Sequence, residues 1–147
     1  MTFDLAFGKM ILCMNRLPSP KELKQLYPLE KEDALFLTEA QSTIQKILLG
    51  EKNQKLLIVG PCSIHDESST LEYADRLCGL FKKVKNFYPL MRFFIEKPRT
   101  SLGWTGFLND PLLDGSGRID LGLQRSRKLL KELVRKKIPC AMEFLHP

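Results

Sequence analysis

"KLLIVGPCS" (Lys55–Ser63) carries four apolar residues in a row, Leu56–Val59, and then stops on Gly60 and Pro61. A strand with one wet face alternates apolar and polar residues, so a short continuous apolar run ended by a turn predicts a strand buried on both faces. Such a strand belongs to a parallel sheet covered by helices, and the flanking residues supply them. Before it, Ala34, Leu37, Ala40, Ile44, Ile47 and Leu48 recur at threes and fours, and Gly50 stands where a helix C-terminal glycine belongs, which predicts an amphipathic helix over 31–49. After it, Ser69 with Glu72 reads as a capping box, and Leu71, Ala74, Leu77, Cys78, Phe81 and Val84 mark one helical face.

The unit then recurs. "LMRFFIEKP" (Leu90–Pro98) reads as a second strand, about 120–137 carries Leu123, Leu129, Leu130, Leu133 and Val134 on a helical stripe, and "CAMEFL" (Cys140–Leu145) reads as a third strand. Strand, helix, strand, helix, strand at this spacing predicts an α/β fold with right-handed crossovers and a parallel sheet. Three such strands, apolar on both faces and with edges unpaired, do not make a finished domain, whereas a barrel of eight such units needs roughly 250 residues. The architecture therefore reads as cut off. Residues 1–30, interrupted by Pro18, Pro20 and Pro28, read as a leader arm laid on something else.

Composition agrees with one ordered α/β unit. The 147 residues are 44% hydrophobic and 27% charged, enough apolar material for a core and too little bias for disorder. A formal charge of +6 attracts nucleic acid, anionic membranes and small phosphorylated ligands alike, and does not choose among them. Cys13, Cys62, Cys78 and Cys140 form no CxxC pair and no metal-finger spacing, which fits a reducing, cytoplasmic setting rather than a disulfide framework. No stretch of about 20 apolar residues could span a bilayer, and the opening segment lacks the basic start and apolar core of a signal peptide.

In parallel α/β folds ligands meet the carboxyl ends of the strands. Here those ends are "GPCSIHD" (Gly60–Asp66), "EKPRTS" (Glu96–Ser101) and "EFLHP" (Glu143–Pro147). Cys62 follows a fixed turn, and its sulfur suits a divalent metal or nucleophilic attack, but also the role of a small buried hydrophobe. His65 and Asp66 fit helix capping and solvent contact better than catalysis. Lys97 and Arg99 flank Pro98, with the Thr100 hydroxyl beside them. That group suits a phosphate or carboxylate, Arg as a bidentate fork and Lys as a point charge. Arg92 inside an apolar strand calls for a bound anion or for Glu96 as a structural partner. Alternation puts Arg92 and Lys97 on opposite faces, so a shared ligand requires the strand to end or bulge near Glu96. The glycines of Leu102–Gly117 match neither GxGxxG nor GxxxxGK[ST] and are no evidence for a nucleotide. The basic residues from Arg125 to Lys137 have no interleaved aromatics and read as a solvated outer helix face rather than a nucleic-acid surface.

Together "GPCSIHD", "RFFIEKPRTSLGWTGFLNDPLLDGS" and "EFL" resemble the class I 3-deoxy-D-arabino-heptulosonate 7-phosphate (DAHP) synthases. The likeness runs in order from the helix near residue 31 through Leu145, and the "LPSPKELKQLYPL" leader resembles the amino-terminal extension of that family. It implies a (β/α)8 TIM barrel of which residues 31–147 are the first three or so units, preceded by the extension at 1–30. It also implies condensation of phosphoenolpyruvate with erythrose 4-phosphate and water, releasing phosphate, the first step of the shikimate pathway to chorismate and the aromatic amino acids.

By the same resemblance Cys62 is a ligand of a divalent metal (Mn, Fe, Co or Zn), and Arg92 and Lys97 contact phosphoenolpyruvate as the catalytic pair. Lys97, Pro98, Arg99 and Thr100 hold erythrose 4-phosphate. The metal orients the aldehyde, C3 of phosphoenolpyruvate attacks it, and water adds at C2 before phosphate leaves. The remaining ligands, a His, a Glu and an Asp, belong to later strands, so this chain alone is expected to be inactive. An aromatic amino-acid effector and a homo-oligomer are implied for the full-length family. Two departures stand out: Thr105 replaces the lysine common in GWKG, and His146 replaces the aspartate that commonly follows EFL, beside the effector region. The alternative is a non-catalytic interaction or regulatory module derived from the enzyme, associating through its leader and open sheet edge.

Overall fold

The computed structural model describes residues 16–98 and 103–145. Arg99, Thr100 and His146 lie outside the described residues. Among the described residues the elements run α1 (Pro20–Leu26), α2 (Lys31–Leu48), β1 (Lys55–Val59), α3 (Glu67–Phe81), β2 (Phe87–Arg92), α4 (Ile119–Arg135) and β3 (Cys140–Ala141). The strands form one parallel sheet in the order β1-β2-β3, with Lys55 opposite Phe87 and Met91 opposite Cys140. Strand and helix alternate along the chain as the apolar pattern predicts.

Local chemistry explains the helix ends. In α1, Ser19 is the N-cap, and its Oγ accepts from Glu22 N while Glu22 Oε2 accepts from Ser19 N at 2.7 Å, with Pro20 filling a position that needs no N–H donor. The prolines of the leader thus start and stop a short helix, which lies against α4. α2 closes with Gly50 at φ 76°, Gly50 N bonding Ile47 O and Glu51 N bonding Lys46 O, the paired bonds of a Schellman motif. The cap of α3 differs from expectation. Asp66, not Ser69, is the N-cap: its Oδ1 accepts from Ser69 N at 2.7 Å, so the serine is a donor to the cap rather than the cap itself.

Three strand readings are corrected. β1 is not buried on both faces: Leu57 is 38% and Ile58 55% exposed, and among the described residues β1 pairs with β2 alone. β2 starts at Phe87, earlier than Leu90, and ends at Arg92. Beyond Arg92 the backbone goes on hydrogen-bonding, but mostly to loops: Ile64 N donates to Phe94 O, Leu108 N to Ile95 O, and Lys97 N to Thr105 O. β3 spans only Cys140–Ala141, continued by one bond from Phe93 N to Ala141 O, while Phe144 is exposed.

The core gathers where β2 meets α3 and α4. Met91, Phe93, Phe107 and Leu133 are fully enclosed, with Ala74 and Leu77 from α3 beside them. The basic residues of α4 are not a plain solvated face. Arg125 Nε bonds Glu67 Oε1 at 3.0 Å and its Nη1 bonds Pro111 O at 2.8 Å; Arg127 reaches Tyr27 O; Arg135 pairs with Glu30 and Lys136 with Asp75. Positive charge here ties α4 to α1, α2 and α3. No described helix is long and apolar enough to cross a membrane.

Candidate functional site

Two turns at the carboxyl ends of β1 and β2 form the site, and glycine sets their spacing. Gly60 lies so close to β2 that a Cβ added there would come 2.9 Å from both Cβ and O of Arg92, so any larger residue would push the strands apart. The Ile64 N bond to Phe94 O, at 2.7 Å, fastens the first turn to the second strand end. Ser63 and Ile64 turn inward and are buried, and this leaves Cys62 and His65 exposed above them. The reading of Cys62 as a buried hydrophobe therefore fails.

Lys97 meets Cys62. Its Nζ donates to the Cys62 Sγ at 3.1 Å, across 35 residues of sequence. Since β2 ends at Arg92, strict alternation no longer fixes where Lys97 points. The Arg92 guanidinium stacks 4.0 Å over the Phe94 ring. Its Nε is buried with no hydrogen-bond partner among the described residues. An orphaned guanidinium donor is costly unless something accepts from it, which suits an anionic ligand. Glu96 is buried, and its Oε2 lies 3.5 Å from Leu145 N. Pro98 is exposed.

A loop absent from the sequence-based site braces this arrangement. Gly106 has φ 116°, and a Cβ there would sit 2.5 Å from Ile95 O. Only glycine allows the loop to press against the strand end this closely. Trp104 Nε1 bonds Asp110 O at 2.8 Å, and the buried Asp110 takes Gly115 N on its Oδ2. On the far side Gly122 of α4 receives Leu108: a Cβ there would lie 1.9 Å from the Leu108 carbonyl oxygen. The Asn-Asp-Pro turn signal and the isolated glycines flanking Trp104 were the available sequence cues, but a turn signal does not say what the turn leans on.

Asp66 works as a cap. The Ser69 backbone N–H holds its carboxyl below the usual aspartate range. His65 is exposed, and its charge acts on the adjacent Asp66. Thr105 is exposed, and its carbonyl accepts from Lys97 N and from Asn109 Nδ2. Among the described residues no group of three or more His, Cys, Asp or Glu side chains collects to hold a metal ion. Cys62 offers one soft donor, and the described residues do not complete a metal site around it. An open cleft of about 510 Å³, lined by Leu17, Glu22, Leu26 and Gln124, lies elsewhere, between the α1 region and α4.

Comparison with known proteins places this geometry in a lineage. Residues 29–147 match the model of the DAHP synthetase I family. The Tyr-sensitive phospho-2-dehydro-3-deoxyheptonate aldolase of Escherichia coli strain K12 is 42% identical over 132 residues, covering 89% of this chain and 37% of that relative. The Trp-sensitive enzyme of the same strain is 43% identical over 130 residues, covering 88% and 37%. A solved phospho-2-dehydro-3-deoxyheptonate aldolase from Francisella tularensis SCHU S4 superposes with a TM-score of 0.86 at 41% identity, covering 89% of this chain and 39% of that one. The chain thus spans about 37% of the length of these curated relatives.

Proposed function

Since the chain belongs to the DAHP synthetase I family, we propose that it forms the opening strand–helix units of a (β/α)8 DAHP synthase barrel and supplies part of its substrate site. The observation that carries this is the contact of Lys97 with Cys62 at the ends of two adjacent parallel strands, where Arg92 lies against Gly60 of the first turn. In this reading Lys97 Nζ and the Arg92 guanidinium bind the anionic groups of phosphoenolpyruvate, and Lys97 with Pro98, Arg99 and Thr100 takes erythrose 4-phosphate. Two polyanionic substrates repel each other, and fixed cations between them offset that repulsion and orient the reacting carbons.

Cys62 would give one ligand to a divalent metal, whose chemistry when bound is Lewis-acid polarisation of an aldehyde oxygen. The protein's own part is to hold Cys62 at the mouth, keep Lys97 against it through the Thr105 and Ile95 backbone bonds, and seal the floor with Ile64, Phe93 and Phe107. A cytoplasmic homo-oligomer responding to an aromatic amino acid completes the proposal for the whole enzyme.

A second reading, a non-catalytic module that associates through β1, draws on the exposure of Leu57 and Ile58. One experiment separates the two. A chimera in which residues 29–147 replace the matching part of the Escherichia coli Tyr-sensitive relative should restore growth without aromatic amino acids to a strain lacking DAHP synthase. A folded chimera with no DAHP formation favours the association module.

A further inference from the structure

Cys62 and Lys97 form a contact whose chemistry does not depend on any substrate. The 3.1 Å approach of Nζ to Sγ joins side chains from two separate turns. Each turn is held by backbone bonds that do not involve the side chains of the pair: Ile64 N to Phe94 O at 2.7 Å on one side, Lys97 N to Thr105 O at 3.0 Å on the other. Gly60 against Arg92 fixes the gap between them. Pro61 and Pro98, one beside each partner, narrow the backbone further. An amine is therefore kept beside a sulfur at high effective concentration. Cys62 is also exposed, so a small oxidant can reach it. The other two described cysteines differ: Cys78 and Cys140 are partly buried, with their sulfurs 3.7 Å from the carbonyls of Lys136 and Ile138.

We propose that Cys62 and Lys97 are a modification site, closing to a sulfur–nitrogen cross-link when the protein meets a peroxide. Sulfenic acids condense with nearby nitrogen. In the first step the sulfur attacks one peroxide oxygen, the O–O bond breaks, and Cys62 becomes a sulfenic acid with release of water. In the second the Lys97 nitrogen attacks that sulfur, the S–O bond breaks, and the hydroxyl leaves as water with a proton from nitrogen. Thiol, amine and one peroxide give one S–N bond and two waters; sulfur loses two electrons and the peroxide gains them. A small thiol reverses the bond, forming a mixed disulfide and freeing the amine, and a second thiol then restores Cys62. The cross-link removes the Lys97 charge and the Cys62 donor together. Its formation rests on this geometry alone, and its cost to catalysis rests on the function proposed above.

The test treats the whole 147-residue chain with hydrogen peroxide, blocks remaining thiols, and maps the digest by mass spectrometry. The expected product is lighter by about 2 Da, joins the Cys62 and Lys97 peptides, and returns to the starting mass with dithiothreitol. It should be missing from Lys97→Arg, shown folded by circular dichroism, and from wild-type protein treated in urea. Gains of about 16 or 32 Da confined to the Cys62 peptide, a joined pair that retains oxygen, or a disulfide as the main product would each overturn the proposal. The same mapping on the chimera tests the pair within a complete barrel. DAHP formation is scored separately there, so an active chimera without the cross-link overturns this inference and leaves the functional reading standing.

Discussion

β2 has a strand on each side, and Met91 and the nearby Phe93 are 0% exposed; β1, paired to β2 along five residues, leaves Leu57 38% and Ile58 55% exposed. The two segments have comparable apolar content. Position in the sheet therefore decides burial here, and an apolar run records only that a face is suited to being covered. The same contrast extends to the turns that follow: the β2 end is braced by the Trp104–Asp110 loop and by α4, whereas the β1 turn is tied down mainly where it touches β2.

The contrast can be broken by mutation. Phe93→Ala should cost most, about 3 to 5 kcal/mol, since a fully enclosed ring is removed from the core. Urea denaturation should show a large fall in midpoint or outright unfolding. Gly122→Ala should come next, at about 1 to 3 kcal/mol, because the new Cβ meets the Leu108 carbonyl and the helix-propensity gain of about 1 kcal/mol does not offset it. A neutral or stabilising result would mean the Leu108 loop is not seated as described.

Acid dependence gives a smaller effect. The Asp66 carboxyl is held below its ordinary range by Ser69 N–H, so its contribution is present above the unfolded-state value and is lost as pH falls through the lower folded value. Asp66→Ala should therefore melt below wild type at about pH 7, with the gap closing as pH approaches about 2. A gap that persists in acid would show that the cap does not act through its charge. Ile58→Ala should have the least effect, within about 1 kcal/mol by urea denaturation, because over half of that side chain is already in water. A loss as large as that of Phe93→Ala would show that β1 is covered in solution.

Much of this organisation is legible in the residues. Apolar periodicity located α2, α3 and α4, and the two longer apolar runs located β1 and β2, because burial selects composition over whole segments. Boundaries were less legible. Ser69 and Asp66 both look like caps, and only the backbone path decides which accepts. "LMRFFIEKP" continues past the true end of β2 because Phe93, bonded to Ala141, and Ile95, bonded to Leu108 of the loop, both stay buried, and an apolar pattern does not distinguish a loop neighbour from a strand. At the site, Cys62, Arg92 and Lys97 were legible as candidates from their places at or near the strand ends, and their metal and substrate roles came from the resemblance. The 3.1 Å contact and the brace from Gly106 and Trp104 depend on residues distant in sequence, which local reading does not bring together.

The most direct test of the central claim is the steady-state rate of DAHP formation by the chimera carrying residues 29–147, compared with the same chimera bearing Lys97→Gln. If Lys97 holds phosphoenolpyruvate at this strand end, removing its charge should lower kcat/KM for phosphoenolpyruvate by about 100-fold or more, with circular dichroism unchanged. A Lys97→Gln chimera with kcat/KM within about threefold of its parent would contradict the account and leave the strand-end cluster a structural feature.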